Sequence, residues 1–210
     1  MELHWLSQKH EQDLVIFMLG WAATPNAVHH LPLPGFDVLA ICNYKTLQPL
    51  HAADFASYRR IYLIAWSYGV WVAERCCQAL PLYRAIALNG TPLPADDRYG
   101  MRLRATLRVM QMAARLGIEP QSSQRAIPPG PYPDRTPAEK LDELKRLAEW
   151  SRQDSSAHLR WHTAYIADQD EVFPPANMWA YWQSVGLGRA MAGHHYPFAD
   201  PAFVLHELLT

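Results

Sequence analysis

The sequence predicts an α/β fold built on a mainly parallel sheet, and three observations carry that expectation. Short apolar runs rich in β-branched and aromatic residues recur along the chain. Helical stretches alternate with such runs at both ends of the chain, the pattern that parallel strands joined by helical crossovers require. One run, IYLIAWSYGVW at 61–71, is interrupted by a serine and a glycine where a strand would pass into a helix.

Taken in order, the N-terminal segment MELHWLSQKHEQ lacks the basic stretch and apolar core of a secretion signal. The apolar run at 14–19 is too short to span a bilayer, so a cytoplasmic location is the expectation. Residues 14–19, 38–41, 61–66 and 85–88 read as strands buried on both faces, and another strand is embedded in 159–167. Residues 68–80 and 176–185 read as helices. From residue 91 to about 157 no strand is expected. There Leu103, Leu107, Met110 and Ala114 recur at helical spacing, with Arg104, Arg108 and Arg115 on an adjoining face. A Pro- and Gly-rich connection, IEPQSSQRAIPPGPYPDR, leads to Thr136-Pro137-Ala138-Glu139, a capping box with proline at the first helical position. The helix it opens should bury Leu141, Leu144 and Ala148. The expected organisation is an α/β core formed by 1–91 and 158–210, with 92–157 inserted as a helical cap or lid.

A chain of 210 residues, half of them apolar, is long enough to bury a sizeable core. Its formal net charge of −1 gives no global attraction to nucleic acid or to an anionic membrane. Cys42 and the adjacent pair Cys76 and Cys77 form neither a disulfide framework nor a metal-ligand spacing, and read as small buried side chains. His29, His30, His158, His162 and the Asp168/Asp170 pair likewise match no recognised ligand spacing, so neither metal nor cofactor is expected.

A serine at a strand-to-helix corner is ordinarily a helix cap. In a G-x-S-x-G elbow it is instead a nucleophile, with small flanking residues that let strand and helix approach; here Ala65 and Gly69 hold those places. The later segments Asp168-Gln169-Asp170-Glu171-Val172-Phe173-Pro174 and Gly193-His194-His195-Tyr196-Pro197-Phe198 supply a carboxylate after one strand and a histidine after the next. Ser, Asp, His is the chain order of the α/β-hydrolase triad. His195 would take the proton of Ser67 while Asp170 orients its other ring nitrogen. The oxyanion needs two backbone donors: the amide of Tyr68 at the helix N-terminus, and one from the turn after the first apolar strand, at Gly20 and Trp21.

With these segments in place the chain resembles the BioG-type pimeloyl-[acyl-carrier protein] methyl ester esterases over most of its length. The resemblance lies in FMLGW at 17–21, AWSYGVW at 65–71 with Ala73-Glu74-Arg75, and Asn89-Gly90-Thr91-Pro92 with Asp96-Asp97 and Gly100. It continues in DEVFP at 170–174 with Asn177 and Trp182, and in HYPF at 195–198. It implies an α/β-hydrolase with a helical cap, a part in biotin synthesis, and the triad Ser67, Asp170 and His195. Its Asp-x-x-x-Pro spacing favours Asp170 over Asp168, and a histidine directly before an aromatic-Pro-Phe run favours His195 over His194.

The substrate implied by the resemblance is a seven-carbon diacyl chain carried as a thioester on acyl-carrier protein, its distal carboxyl masked as a methyl ester. Carrier proteins are acidic. Arg98, Arg102, Arg104, Arg108, Arg115 and Arg125 share positions 98–125 with one acidic residue, Glu119, so this basic edge of the cap reads either as an ordinary solvated helix face or as a docking surface for the carrier. The same triad would also serve a general short-chain carboxylesterase or thioesterase.

Overall fold

A computed structural model of the chain describes residues 1–118 and 127–199. Among the described residues seven strands form one sheet: β1 (Glu2–Ser7), β2 (Asp13–Met18), β3 (Phe36–Cys42), β4 (Arg60–Trp66), β5 (Leu82–Leu88), β6 (Thr163–Ala167) and β7 (Gly188–Met191). Their spatial order is β1-β3-β2-β4-β5-β6-β7, and β1 alone runs antiparallel to its neighbour. The helices are α1 (Asn26–His29), α2 (Tyr68–Cys76), α3 (Leu103–Leu116), α4 (Pro137–Gln153) and α5 (Pro175–Trp182).

The central strands are the apolar runs of the sequence. Every residue of β2 and β3 is buried, as are Ile61 to Trp66 of β4, because helices or loops cover both faces. Neither outer strand shows as an apolar run in the sequence. β1 is largely exposed and interleaves Glu2 and His4 with Leu3 and Trp5, and β7 is only Gly-Arg-Ala-Met, so neither carries the apolar run that marks a buried strand. β7 nonetheless supplies the strand expected before the histidine segment.

Helix α2 stops at Cys76, four residues short of the expectation. Pro81 lies just beyond, and the chain turns at Cys77, with Leu80 N–H donating to the Cys77 carbonyl at 3.1 Å. Helix α3 ends as its sequence dictates: Gly117 takes the left-handed conformation (φ 64°), and the amides of Gly117 and Ile118 both return to the Ala113 carbonyl. The capping box of α4 forms, with Thr136 and Glu139 exchanging hydrogen bonds.

The inserted helices do not stand apart from the core. Leu141, Leu144, Leu147 and Ala148 of α4 share one buried cluster with Val70 and Trp71 of α2 and with Met101, Leu103 and Met110. Tyr68 and Ser151 join α2 to α4 through their hydroxyls at 2.9 Å, and the Trp71 indole donates to the Asp154 carbonyl at 3.0 Å. On α3 the burial differs in detail from the expectation: Leu103, Met110 and Ala113 are buried, while Leu107 and Ala114 are half-buried. Val109, Met112 and Leu116 form an exposed apolar row beside the arginines.

Candidate active site

Ser67 follows the last residue of β4 and precedes the first of α2, with φ 60° and ψ −128°. A non-glycine residue there costs about 1–3 kcal/mol, a strain the surrounding structure must sustain. Its side chain makes no capping hydrogen bond, which removes the helix-cap reading of this serine. Two glycines make the corner possible. A Cβ on Gly69 would lie 2.1 Å from the Met18 carbonyl oxygen, and one on Gly90 would lie 2.3 Å from that of Ser67, so neither position admits a side chain. Ala65, where the motif usually has glycine, is fully buried in β4 between Met18 and Ala87, where a single methyl is accommodated.

The Ser67 hydroxyl lies 2.9 Å from Nε2 of His195, and Nδ1 of His195 lies 2.7 Å from Oδ2 of Asp170. All three residues are buried. A carboxylate accepts, so Nδ1 carries the ring proton and Nε2 is left to accept from the serine. The other Asp170 oxygen accepts from the backbone amides of Val172 and Phe173 at 2.8 and 2.9 Å, which fixes the carboxylate. Phe173 also stacks on the imidazole, its ring plane within 6° at a centroid distance of 6.1 Å.

The neighbouring candidates are placed elsewhere. Asp168 is exposed and accepts from the Gly193 amide at 2.9 Å, while the exposed His194 ring approaches the Gln169 carbonyl at 3.3 Å. These contacts tie the loop after β6 to the loop after β7. Tyr68 begins α2, where the first amides have no intrahelical partner. Gly20 and Trp21 lie in the turn after β2, and a Cβ on Gly20 would come within 3.0 Å of the Ser67 Cβ, so this turn abuts the serine.

Two supports for the histidine were not singled out by role from the sequence. The Trp66 indole donates to the His195 carbonyl at 2.8 Å. Asn89, fully buried, donates to the same carbonyl at 3.0 Å and accepts from the Ala167 amide at 2.9 Å. The Asn-Gly-Thr-Pro segment was the available signal: Asn89 braces the histidine loop, and the Gly90 carbonyl accepts from the Trp182 indole at 2.8 Å.

Arg102, Arg104, Arg108 and Arg115 are all exposed along α3 and its N-terminus, as is Arg98. Arg104 approaches Asp97 at 3.8 Å, a solvated contact worth little. Arg125 and Glu119 lie outside the described residues.

This sheet order, with a serine at a strained corner hydrogen-bonded to a histidine and a carboxylate that follow later strands, defines an α/β-hydrolase. The family model described as pimeloyl-ACP methyl esterase BioG matches residues 1–206, and the chain belongs to that family. An uncharacterised protein of Haemophilus influenzae is 36% identical over 201 residues, covering 90% of each chain. The crystal structure of BioG from Haemophilus influenzae superposes with a TM-score of 0.79 at 31% identity, covering 95% of both chains. A malonyl-[acyl-carrier protein] O-methyltransferase of Bacteroides fragilis is 30% identical over 182 residues, which span 82% of this chain and 37% of that protein. The carboxylesterase CesB of Bacillus subtilis shares the fold, with a TM-score of 0.56 at 12% identity over 99% of this chain and 85% of its own. Family and fold together make the chain an esterase-type hydrolase.

Proposed function

We propose that the protein hydrolyses the methyl ester of pimeloyl-acyl-carrier protein, in the cytoplasm and within biotin synthesis, through an acyl-enzyme on Ser67. The observation that carries this reading is the continuous hydrogen-bonded chain from Ser67 through His195 to Asp170 at a strained strand-to-helix corner. The family description supplies the substrate class.

Ser67 Oγ attacks the carbonyl carbon of the distal ester as its proton passes to His195 Nε2. Asp170 stabilises the imidazolium through Nδ1, and the amides of Tyr68 and Trp21 receive the oxyanion. Collapse breaks the bond to the methoxy oxygen, which takes the proton from His195 and leaves as methanol. Water, deprotonated by the same nitrogen, then attacks the acyl-enzyme; the bond to Ser67 Oγ breaks, Oγ takes the proton back from His195, and the free carboxylate is released. The carrier thioester in the same molecule is also an acyl donor, so the site must select by position. The segment 92–157 serves as the cap whose underside lets only the distal end of the chain reach Ser67.

Arg102 at the N-terminus of α3 and Arg104, Arg108 and Arg115 along it dock the acidic carrier, and the exposed Val109, Met112 and Leu116 beside them offer the apolar contact such a surface needs. Among the described residues no helix is long and apolar enough to cross a membrane. The deciding experiment is methanol release from the purified carrier-linked methyl ester. Wild type should release it and Ser67→Ala should not; silence of the wild type would reject the substrate, and activity of Ser67→Ala would reject the mechanism.

A further inference from the structure

A buried carboxylate on the inserted helix reaches the turn that lies beside the site. Glu143, in the second turn of α4, is 2% exposed. Its Oε2 accepts from the Ala22 amide at 3.0 Å and from Arg135 Nη1 at 2.6 Å, and its Oε1 accepts from the Tyr44 amide at 2.7 Å. Three donors satisfy both oxygens, and the two backbone donors belong to the loops that follow β2 and β3.

The loop after β2 is the one that abuts Ser67. Residues 20–23 form a turn closed by the Ala23 amide on the Gly20 carbonyl at 3.2 Å, with Ala22 at its third position and φ 62°. That position normally takes glycine or asparagine, so alanine there needs an external hold. Glu143 supplies it by accepting from the Ala22 amide. The Tyr44 hydroxyl, 2.6 Å from the Leu19 carbonyl oxygen, holds the start of the same turn, and the Trp21 indole donates to the Lys140 carbonyl of α4 at 2.7 Å. Both sides of the Gly20–Trp21 peptide are thereby fixed to α4 or to a residue that α4 holds.

We propose that Glu143 is a positioning residue that sets the orientation of the Trp21 amide toward the oxyanion formed at Ser67, making the inserted helix part of the catalytic geometry rather than only a cover. This rests on the serine mechanism proposed above. Glutamine keeps the size of Glu143 but offers one good acceptor where two amides and a guanidinium converge, so the turn loses at least one hold.

The test is the rate of Ser67 labelling by a fluorophosphonate, read by mass spectrometry, together with kcat and KM on a small activated ester and the thermal midpoint of each variant. Glu143→Gln should label about 10–100-fold more slowly and lose kcat by a similar factor with KM within about twofold, as expected for a misplaced oxyanion donor. Tyr44→Phe, a milder change to the same turn, should show the same pattern at about threefold to tenfold. Glu74 is the control. It is equally buried and accepts from the amides of His158 and Leu159 and from the Trp161 indole, well away from the turn. Glu74→Gln should lower the midpoint and leave the labelling rate per folded molecule unchanged. Wild-type labelling rates in both Glu143→Gln and Tyr44→Phe would overturn the role of Glu143 alone. Failure of wild type to label at Ser67 would overturn the serine mechanism and this inference with it.

Discussion

Asn89 grips the backbone of His195: its amide nitrogen lies 3.0 Å from the His195 carbonyl and 3.1 Å from that of His194, while its oxygen receives the Ala167 amide. Asn89 is the first residue after β5, and its φ of 48° is one that asparagine tolerates better than most residues. Asn89→Ala should therefore cost about 2–4 kcal/mol, by stranding buried polar groups and by forcing alanine into the left-handed region. Asn89→Asp should do worse, because a carboxylate would face two carbonyl oxygens. Denaturant midpoints and esterase rates of both variants check this; unchanged rates would separate Asn89 from the histidine loop.

The strain at Ser67 predicts a trade between stability and activity. Ser67→Ala keeps the strained backbone, and its stability should lie close to wild type. Ser67→Gly removes the Cβ that makes φ 60° costly and should be more stable than Ser67→Ala by about 1 kcal/mol, net of the entropy glycine adds to the unfolded chain. Both should be inactive. A glycine variant less stable than the alanine variant would show that the corner is relaxed.

Reversing charge at Arg104 and Arg108 should weaken turnover of a carrier-linked ester by about tenfold while leaving a small ester within about twofold, and added salt should mimic the loss. Equal loss on both substrates would assign these arginines to the folded structure instead of the carrier.

Asp13, at the start of β2, is bound by Arg60 and Arg59, and the hydrogen bond from Arg60 is the main reason its carboxyl is held below the usual 3.8 despite burial. A carboxyl depressed in the folded state contributes stability that is present above its unfolded value and lost as pH falls through its folded one. Asp13→Asn should therefore be less stable than wild type near neutrality, with the gap closing below pH of about 4. A gap that stays constant to low pH would exclude the ion pair as its source.

The three thiols are buried, and burial pushes Cys76 up to about 11 and Cys42 up to about 12, with Cys77 higher still. Since the thiolate is the reactive form, native protein should resist an aromatic disulfide reagent at neutral pH and react with three equivalents only once unfolded. Rapid labelling of native protein would show that β3 or the end of α2 opens locally.

Much of the fold was legible because burial leaves a mark on composition. β2, β3 and β4 are apolar on both faces, and their covering shows in residues 14–19, 38–41 and 61–66. β1 and β7 left no such mark, since an edge strand exposes much of its surface and tolerates Glu2, His4 or Arg189. The serine, the later carboxylate and the later histidine were legible through their order and their adjacent motifs. The motif spacing already favoured Asp170 over Asp168 and His195 over His194, and the geometry brings those two side chains to Ser67 because loop conformation sets which way each neighbour points.

The sequence by itself determined the alternation of strands and helices, the capped start of α4 and the placing of Ser67 at a corner, because these depend on local chemistry and on periodic burial. Only the tertiary structure decided what Glu143, Asn89 and Trp66 do. Each acts on a distant backbone group: 129 positions separate Trp66 from His195, 121 separate Glu143 from Ala22, and 106 separate Asn89 from His195. A hydrogen bond to a distant peptide leaves no periodicity and needs no particular residue at its other end. It exists only once folding has brought the two chain segments within three ångströms or so of each other.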